Sequence, residues 1–137
     1  MEKYDIYWAY FLKDESATKN QNELTEDDFT RRPALILDDD IVVKVAKSTT
    51  HNPRKEFKGE YRVMNWKESG FTQPSTIRFS KIYLMNKKHI EDKMGHLSEE
   101  DIQKIKSLKL VEHLLENLEK RSDNKCQICL NLIKMQH

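Results

Sequence analysis

The sequence predicts a mainly β domain, a small barrel or sandwich, followed by helices at its C-terminal end. Short runs of aromatic and β-branched residues recur with turn-forming residues between them, and helical spacing is missing before Asn86. From Ile102 onward, apolar residues instead fall three and four apart. A chain of 137 residues suits one hydrophobic core, so a single domain is expected.

Residues 6–12 (Ile-Tyr-Trp-Ala-Tyr-Phe-Leu) are aromatic and short, the composition of a largely buried strand. Residues 13–30 turn polar with neither period and read as a long surface loop, of the kind that often carries function. Arg31-Arg32-Pro33 leads into a second strand, Ala34-Leu35-Ile36-Leu37, stopped by Asp38-Asp39-Asp40. A hairpin follows, because the β-branched run Ile41-Val42-Val43-Lys44-Val45-Ala46 resumes at once. Residues 48–59 are polar and basic, and residues 60–66 regain alternating character as a fourth strand. After a turn at Ser69-Gly70, residues 76–85 form the fifth, with a bulge or shift of phase expected near Ser80-Lys81.

Beyond Asn86 the character changes. Ser98 precedes a carboxylate by three residues, and Glu99, Glu100 and Asp101 occupy the first turn, where the helix dipole favours them. Ile102, Ile105, Leu108, Val111, Leu115 and Leu118 then form one stripe, predicting a helix from about Glu99 toward Lys120. Ser122-Asp123-Asn124 breaks it, and residues 126–135 are apolar enough to pack but too short to classify.

Composition narrows the function. With 24 basic residues against 23 acidic, attraction to nucleic acid has to come from local clustering. Glu2 and Asp5 fall where a signal peptide would be basic or apolar, and no apolar run approaches the ~20 residues of a membrane span, so a cytoplasmic protein without membrane contact is expected. The two cysteines, Cys126 and Cys129, are too close to staple distant parts of a fold and fit a reducing compartment. Without a second pair they suggest neither a zinc site nor a redox centre.

Several stretches together carry a resemblance. Asp5-Ile6-Tyr7-Trp8 opens the chain, Arg32-Pro33-Ala34-Leu35-Ile36-Leu37 forms an Arg-Pro strand, and Val45-Ala46-Lys47-Ser48-Thr49-Thr50-His51 is a strand ending in hydroxyls. Gly70-Phe71-Thr72-Gln73-Pro74-Ser75-Thr76-Ile77-Arg78 follows Trp66, and Met94-Gly95-His96-Leu97-Ser98 precedes the helix. Over roughly residues 4 to 110 this combination resembles the MazF/PemK family of toxin ribonucleases from bacterial toxin-antitoxin pairs. There are departures: a Tyr precedes Asp5 where a Gly is usual, Ser48 replaces a common aliphatic residue, and residues 111–137 extend past the usual end.

The resemblance implies a small SH3-like β-barrel of the PemK/CcdB type over residues 1–110, terminal helix included, with residues 111–137 a helical extension of the same domain. It also implies a sequence-selective endoribonuclease that cuts single-stranded RNA without metal or cofactor, a homodimer, and a cognate antitoxin protein as partner. Such chemistry is feasible because RNA carries its own nucleophile, the 2′-hydroxyl. An enzyme need only align it, move protons and stabilise charge on a pentacoordinate phosphorus.

By the resemblance, Arg32 and Thr49 are the catalytic pair, with Thr50 in play beside Thr49 because of the Ser48 departure. A guanidinium is permanently charged and offers forked donors matched to phosphate. The plain alternatives are a salt bridge from Arg32 to Asp38, Asp39 or Asp40 and a local turn hydroxyl at Thr49. Lys47, Thr50, His51 and Arg54, interleaved with Phe57, have the composition of a groove that neutralises phosphates and lets bases stack. Ser75 and Arg78 join this RNA-binding set through the resemblance, and His51 is also a candidate proton relay. The other histidines suggest structural or surface roles. A different class of function stays open: the barrel also resembles CcdB-type gyrase poisons, which bind a protein target and cut nothing.

Overall fold

A computed structural model describes residues 1–13, 24–56 and 58–112. Six strands form one antiparallel sheet: β1 (Asp5–Leu12), β2 (Phe29–Asp39), β3 (Val43–Thr49), β4 (Glu60–Arg62), β5 (Thr76–Met85) and β6 (Ile90–His96). Their order across the sheet is β4-β5-β3-β2-β1-β6. The mainly β expectation holds, but the sheet is not closed into a barrel. Its edges, β4 and β6, pair with inner neighbours and not with each other. The segment after β4 packs over β6 instead: Gly95 sits so close to the Ser69 carbonyl that a side chain there has no room, and Gly70 takes a φ of 104° against Met94.

The strands form where apolar runs were expected, with shifted bounds. β2 starts at Phe29, five residues before the predicted run, behind a short 3-10 turn at Glu26–Asp28. The remainder of the predicted surface loop, residues 14–23, lies outside the described residues. β3 begins at Val43, leaving Ile41 at the exposed hairpin tip, and β4 is only three residues long. β6 was not expected, because Ile90-Glu-Asp-Lys-Met-Gly-His carries charges on most positions and only Ile90 is buried. Such charges suit an edge that has to resist further pairing.

β2 is central and buries both faces, which explains its uninterrupted apolar run. Leu35 and Leu37 enter one core cluster with Ile6, Phe79 and Ile105, while Ala34 and Ile36 enter another with Phe11, Val45 and Met85. The phase shift expected in β5 is present: Lys47 pairs with Arg78 and Val45 with Tyr83, so β5 spends five residues where β3 spends two. The consequence is visible in burial. Ile77 and Phe79 face the first cluster, and after the bulge Tyr83 and Met85 face the second.

The helix is shorter than its stripe predicts. The Ser98 hydroxyl accepts the Asp101 N–H as cap, and α1 spans Glu99–Ser107. Lys109 then takes a left-handed φ of 53°, and its N–H closes onto the Lys106 carbonyl. This break rotates the following turn, so Leu108 is 53% exposed while Ile102, Ile105 and Val111 are buried. The extension thus begins by adding Val111 to the core. Residues 113–137, with the rest of the stripe and both cysteines, lie outside the described residues, as does Phe57. Among the described residues, no helix is long and apolar enough to cross a membrane.

Candidate active site

A cleft opens where β1, β2 and β3 meet the segment between β4 and β5. Trp8, Arg32, Pro33, Ser48, Thr49, Thr50, His51, Phe71, Thr72, Gln73, Ser75 and Met94 line it. Five of the residues expected to act on RNA therefore share one concavity: Arg32, Thr49, Thr50, His51 and Ser75.

Register explains the central pair. β2 and β3 align Leu35 with Ala46 and Ala34 with Lys47. Pro33 has no N–H to donate, so the ladder stops there. Continued by two residues, the same register sets Arg32 opposite Thr49, at positions whose Cβ atoms stand about 5 Å apart in antiparallel pairs. On its other side Arg32 pairs with Ala9 of β1, so its backbone is held from both directions.

The charge on Arg32 is uncommitted. Its side chain is exposed and forms no ion pair among the described residues. The acids that offered a plain salt bridge have other partners: Asp38 pairs with Lys44 at 3.7 Å, and Asp39 pairs with Lys87 at 3.0 Å and with the N-terminal ammonium at 3.5 Å. The Asp40 carboxylate accepts the Ile41 N–H. Neighbouring Arg31 is committed, lying 4.5 Å over the Trp8 ring with its guanidinium near Glu91 and Asp92.

The hydroxyl side is more crowded. Thr49 Oγ1 accepts the His51 N–H at 3.4 Å, a local turn that leaves its own proton available to donate. Ser75 is 4% exposed and donates to the Gln73 carbonyl at 2.8 Å. Thr50 and His51 are exposed at the rim.

Lys47, Arg54 and Arg78 do not line the cleft. Lys47 reaches toward the Phe11 ring, with Nζ 5.3 Å from its centroid. Arg54 and Arg78 converge on Glu60, at 2.7 and 3.4 Å, where the carboxylate is 1% exposed. The Arg54 hydrogen bond, against the opposing effect of burial, holds the Glu60 carboxyl below its usual range.

Two residues that support the walls had no signal in the sequence. Arg62, half-buried at the end of β4, donates to the carbonyls of Thr50 and His51 and to the Thr76 hydroxyl. Asp101, fully buried in the first turn of α1, accepts from the Tyr61 hydroxyl, the Met64 N–H at 2.8 Å, the Asn65 N–H at 3.0 Å and the Ser98 hydroxyl at 2.9 Å. It ties the helix to the segment leading into the far wall. Burial, followed by the bond to Asp101, pushes the Tyr61 phenol far up. Trp8, Phe71 and Met94 also line the cleft, although as apolar residues they read as core.

The groups that could hold a metal lie elsewhere. Glu2, Asp5 and His96 bring one ligand atom each within 4.8 Å of the others, and none of them lines the cleft. Asp5 is already engaged by the Glu2 N–H, by His96 Nδ1 at 2.7 Å and by Lys93 at 3.4 Å. Those contacts outweigh burial and keep its carboxyl below the usual range. His96 and His89 therefore have structural contacts, the latter stacking on Phe29.

The Mycobacterium tuberculosis toxin MazF-mt6 shares the fold, with 19% identity, a TM-score of 0.56, and coverage of 82% of this chain and 96% of that one. No curated protein matches the sequence. A family model described as the PemK-like, MazF-like toxin of type II toxin-antitoxin systems matches residues 2–111. Toxins of this family are generally endoribonucleases with a cognate antitoxin. Matched over most of its length, the chain belongs to the PemK-like, MazF-like toxin family.

Proposed function

We propose that the chain is a sequence-selective endoribonuclease that cuts single-stranded RNA without a metal ion, working as a homodimer and held silent by an antitoxin chain. One observation carries the reading: an exposed guanidinium with no ion pair, Arg32, stands in register with Thr49 at the wall of an open cleft. An uncommitted cation beside a hydroxyl donor is what a scissile phosphodiester requires.

The substrate 2′-oxygen attacks phosphorus, forming the new P–O bond as the P–O5′ bond breaks. The 2′-hydroxyl gives up its proton, the departing 5′-oxygen gains one, and the products are a 2′,3′-cyclic phosphate and a 5′-hydroxyl. Arg32 neutralises the non-bridging oxygens, Thr49 donates a hydrogen bond to them, and His51 at the rim is placed to relay a proton. Thr50 and Ser75 contact the substrate in the cleft. Lys47, Arg54 and Arg78 take flanking phosphates from outside it, Lys47 and Arg78 standing as register partners on β3 and β5.

The test is to incubate the purified chain with a long defined transcript and a chelator, then map the fragment ends. Cuts at a recurring short motif with cyclic phosphate termini are expected. Intact RNA, or cleavage only after metal is restored, overturns the reading, and gyrase bound with RNA untouched would assign the chain to the poison class instead.

A further inference from the structure

We infer that Arg62 is a positioning residue for this cleft, acting through one peptide plane to set the Thr49 hydroxyl. The inference rests on the ribonuclease reading and deepens it. β3 ends at Thr49, whose last ladder partner is Thr76, and no strand pairing holds the chain beyond it. Arg62 takes over at that point. Its Nη1 lies 3.3 Å from the Thr50 carbonyl, 3.2 Å from the His51 carbonyl and 3.0 Å from Thr76 Oγ1.

In a trans peptide, C=O and N–H point in opposite directions. Holding the Thr50 carbonyl toward Arg62 therefore turns the His51 N–H away from it, and there the N–H meets Thr49 Oγ1 at 3.4 Å. With one lone pair of that oxygen engaged by an N–H, its proton is left to point elsewhere, into the cleft that Thr49 lines. Arg62 itself does not line the cleft and touches no substrate in this arrangement. The buried Thr76 hydroxyl, on the neighbouring strand, fixes the guanidinium from its other side.

Arg62→Met in the full chain, with wild type beside it, tests the inference. Turnover is expected to fall on the order of 100-fold with the RNA KM within about twofold, the signature of lost alignment and not of lost binding, and added guanidinium ion should restore part of it. Without any RNA, hydrogen exchange at the His51 amide should quicken while the β2 and β3 core amides stay protected. Unchanged His51 exchange, unchanged turnover, or a loss confined to KM overturns the inference. Should Arg62→Met fail to fold, Thr76→Val removes one fixing contact at nearly constant volume. It should show the same pattern more weakly, and wild-type exchange and turnover there overturn the inference too. If wild type leaves RNA intact, the ribonuclease reading fails, and His51 exchange alone then decides whether Arg62 holds the segment.

Discussion

The two walls of the cleft are built on opposite terms. On the wall formed by β2 and β3, polar groups are left with unused capacity: Arg32 is exposed without an ion pair among the described residues, and the Thr49 hydroxyl keeps its proton. On the wall formed by residues 64–75, polar groups are buried and consumed, most of all around Asp101, which accepts four donors. Chemistry belongs to the first arrangement, because a committed charge has no affinity left for substrate. Stability belongs to the second, because a buried group without partners costs about 1–3 kcal/mol.

Substitution should separate the two. Arg32→Ala is expected to have the largest effect of all, cutting turnover by roughly 100-fold or more with thermal unfolding unchanged, since an exposed side chain without an ion pair contributes little to folding. Activity equal to wild type in that variant would remove Arg32 from the site and erase the contrast between the walls. Asp101→Asn keeps the shape but presents an amide to the Met64 and Asn65 N–H groups, and should lower unfolding free energy by about 3 kcal/mol in denaturant titration. A loss below about 0.5 kcal/mol would mean that water satisfies those donors and that the second wall is not held by this carboxylate.

Between these extremes stands Gly95→Ala. The added methyl meets the Ser69 carbonyl and the Gly70 backbone, neither of which can swing aside as a side chain would. A loss of about 1–3 kcal/mol is expected, with the cleft distorted from the Met94 side. Stability equal to wild type would show that the crossing segment slides on β6, so that this wall is looser than its contacts indicate.

What was legible in the sequence follows the same division. Runs decided by local composition were readable: β1, β3 and the bulged β5 stand where aromatic and β-branched residues alternate, and even the phase shift at Ser80-Lys81 shows in the order of apolar residues. Features decided by distant partners were not. β6 exists because β1 offers it a ladder, α1 stops because Lys109 turns left-handed without a Gly or Asn to announce it, and Asp101 meets Tyr61 across forty positions. The departure at Tyr4 is a milder case. Where the family usually has Gly, Tyr4 adopts a φ of 73°, held by its N–H to the Ile36 carbonyl and its carbonyl to the Leu97 N–H. In the cleft, Arg32, Thr49, Thr50, His51 and Ser75 were reachable through resemblance because their motifs are contiguous. Arg62 was not, since a lone arginine on a three-residue strand carries no pattern.

Glu60 lets the contrast between open and committed charge be tested within one side chain. It ties up Arg54 and Arg78, two cations that flank the cleft without lining it. Because its carboxyl titrates below the ordinary value of 4.5, the pair contributes fully above that pH and its contribution is lost as pH falls through the lowered value. Unfolding measured across the acid range should therefore show a shallower decline for Glu60→Gln than for wild type. At neutral pH the variant should cost only about 1 kcal/mol or less, since both arginines are partly exposed and screened. The same change frees two guanidiniums. If they take flanking phosphates, RNA should bind a few-fold more tightly, with a steeper dependence on salt. Unchanged affinity and salt slope would mean that Arg54 and Arg78 serve the fold alone, leaving Arg32 as the cation that meets the substrate.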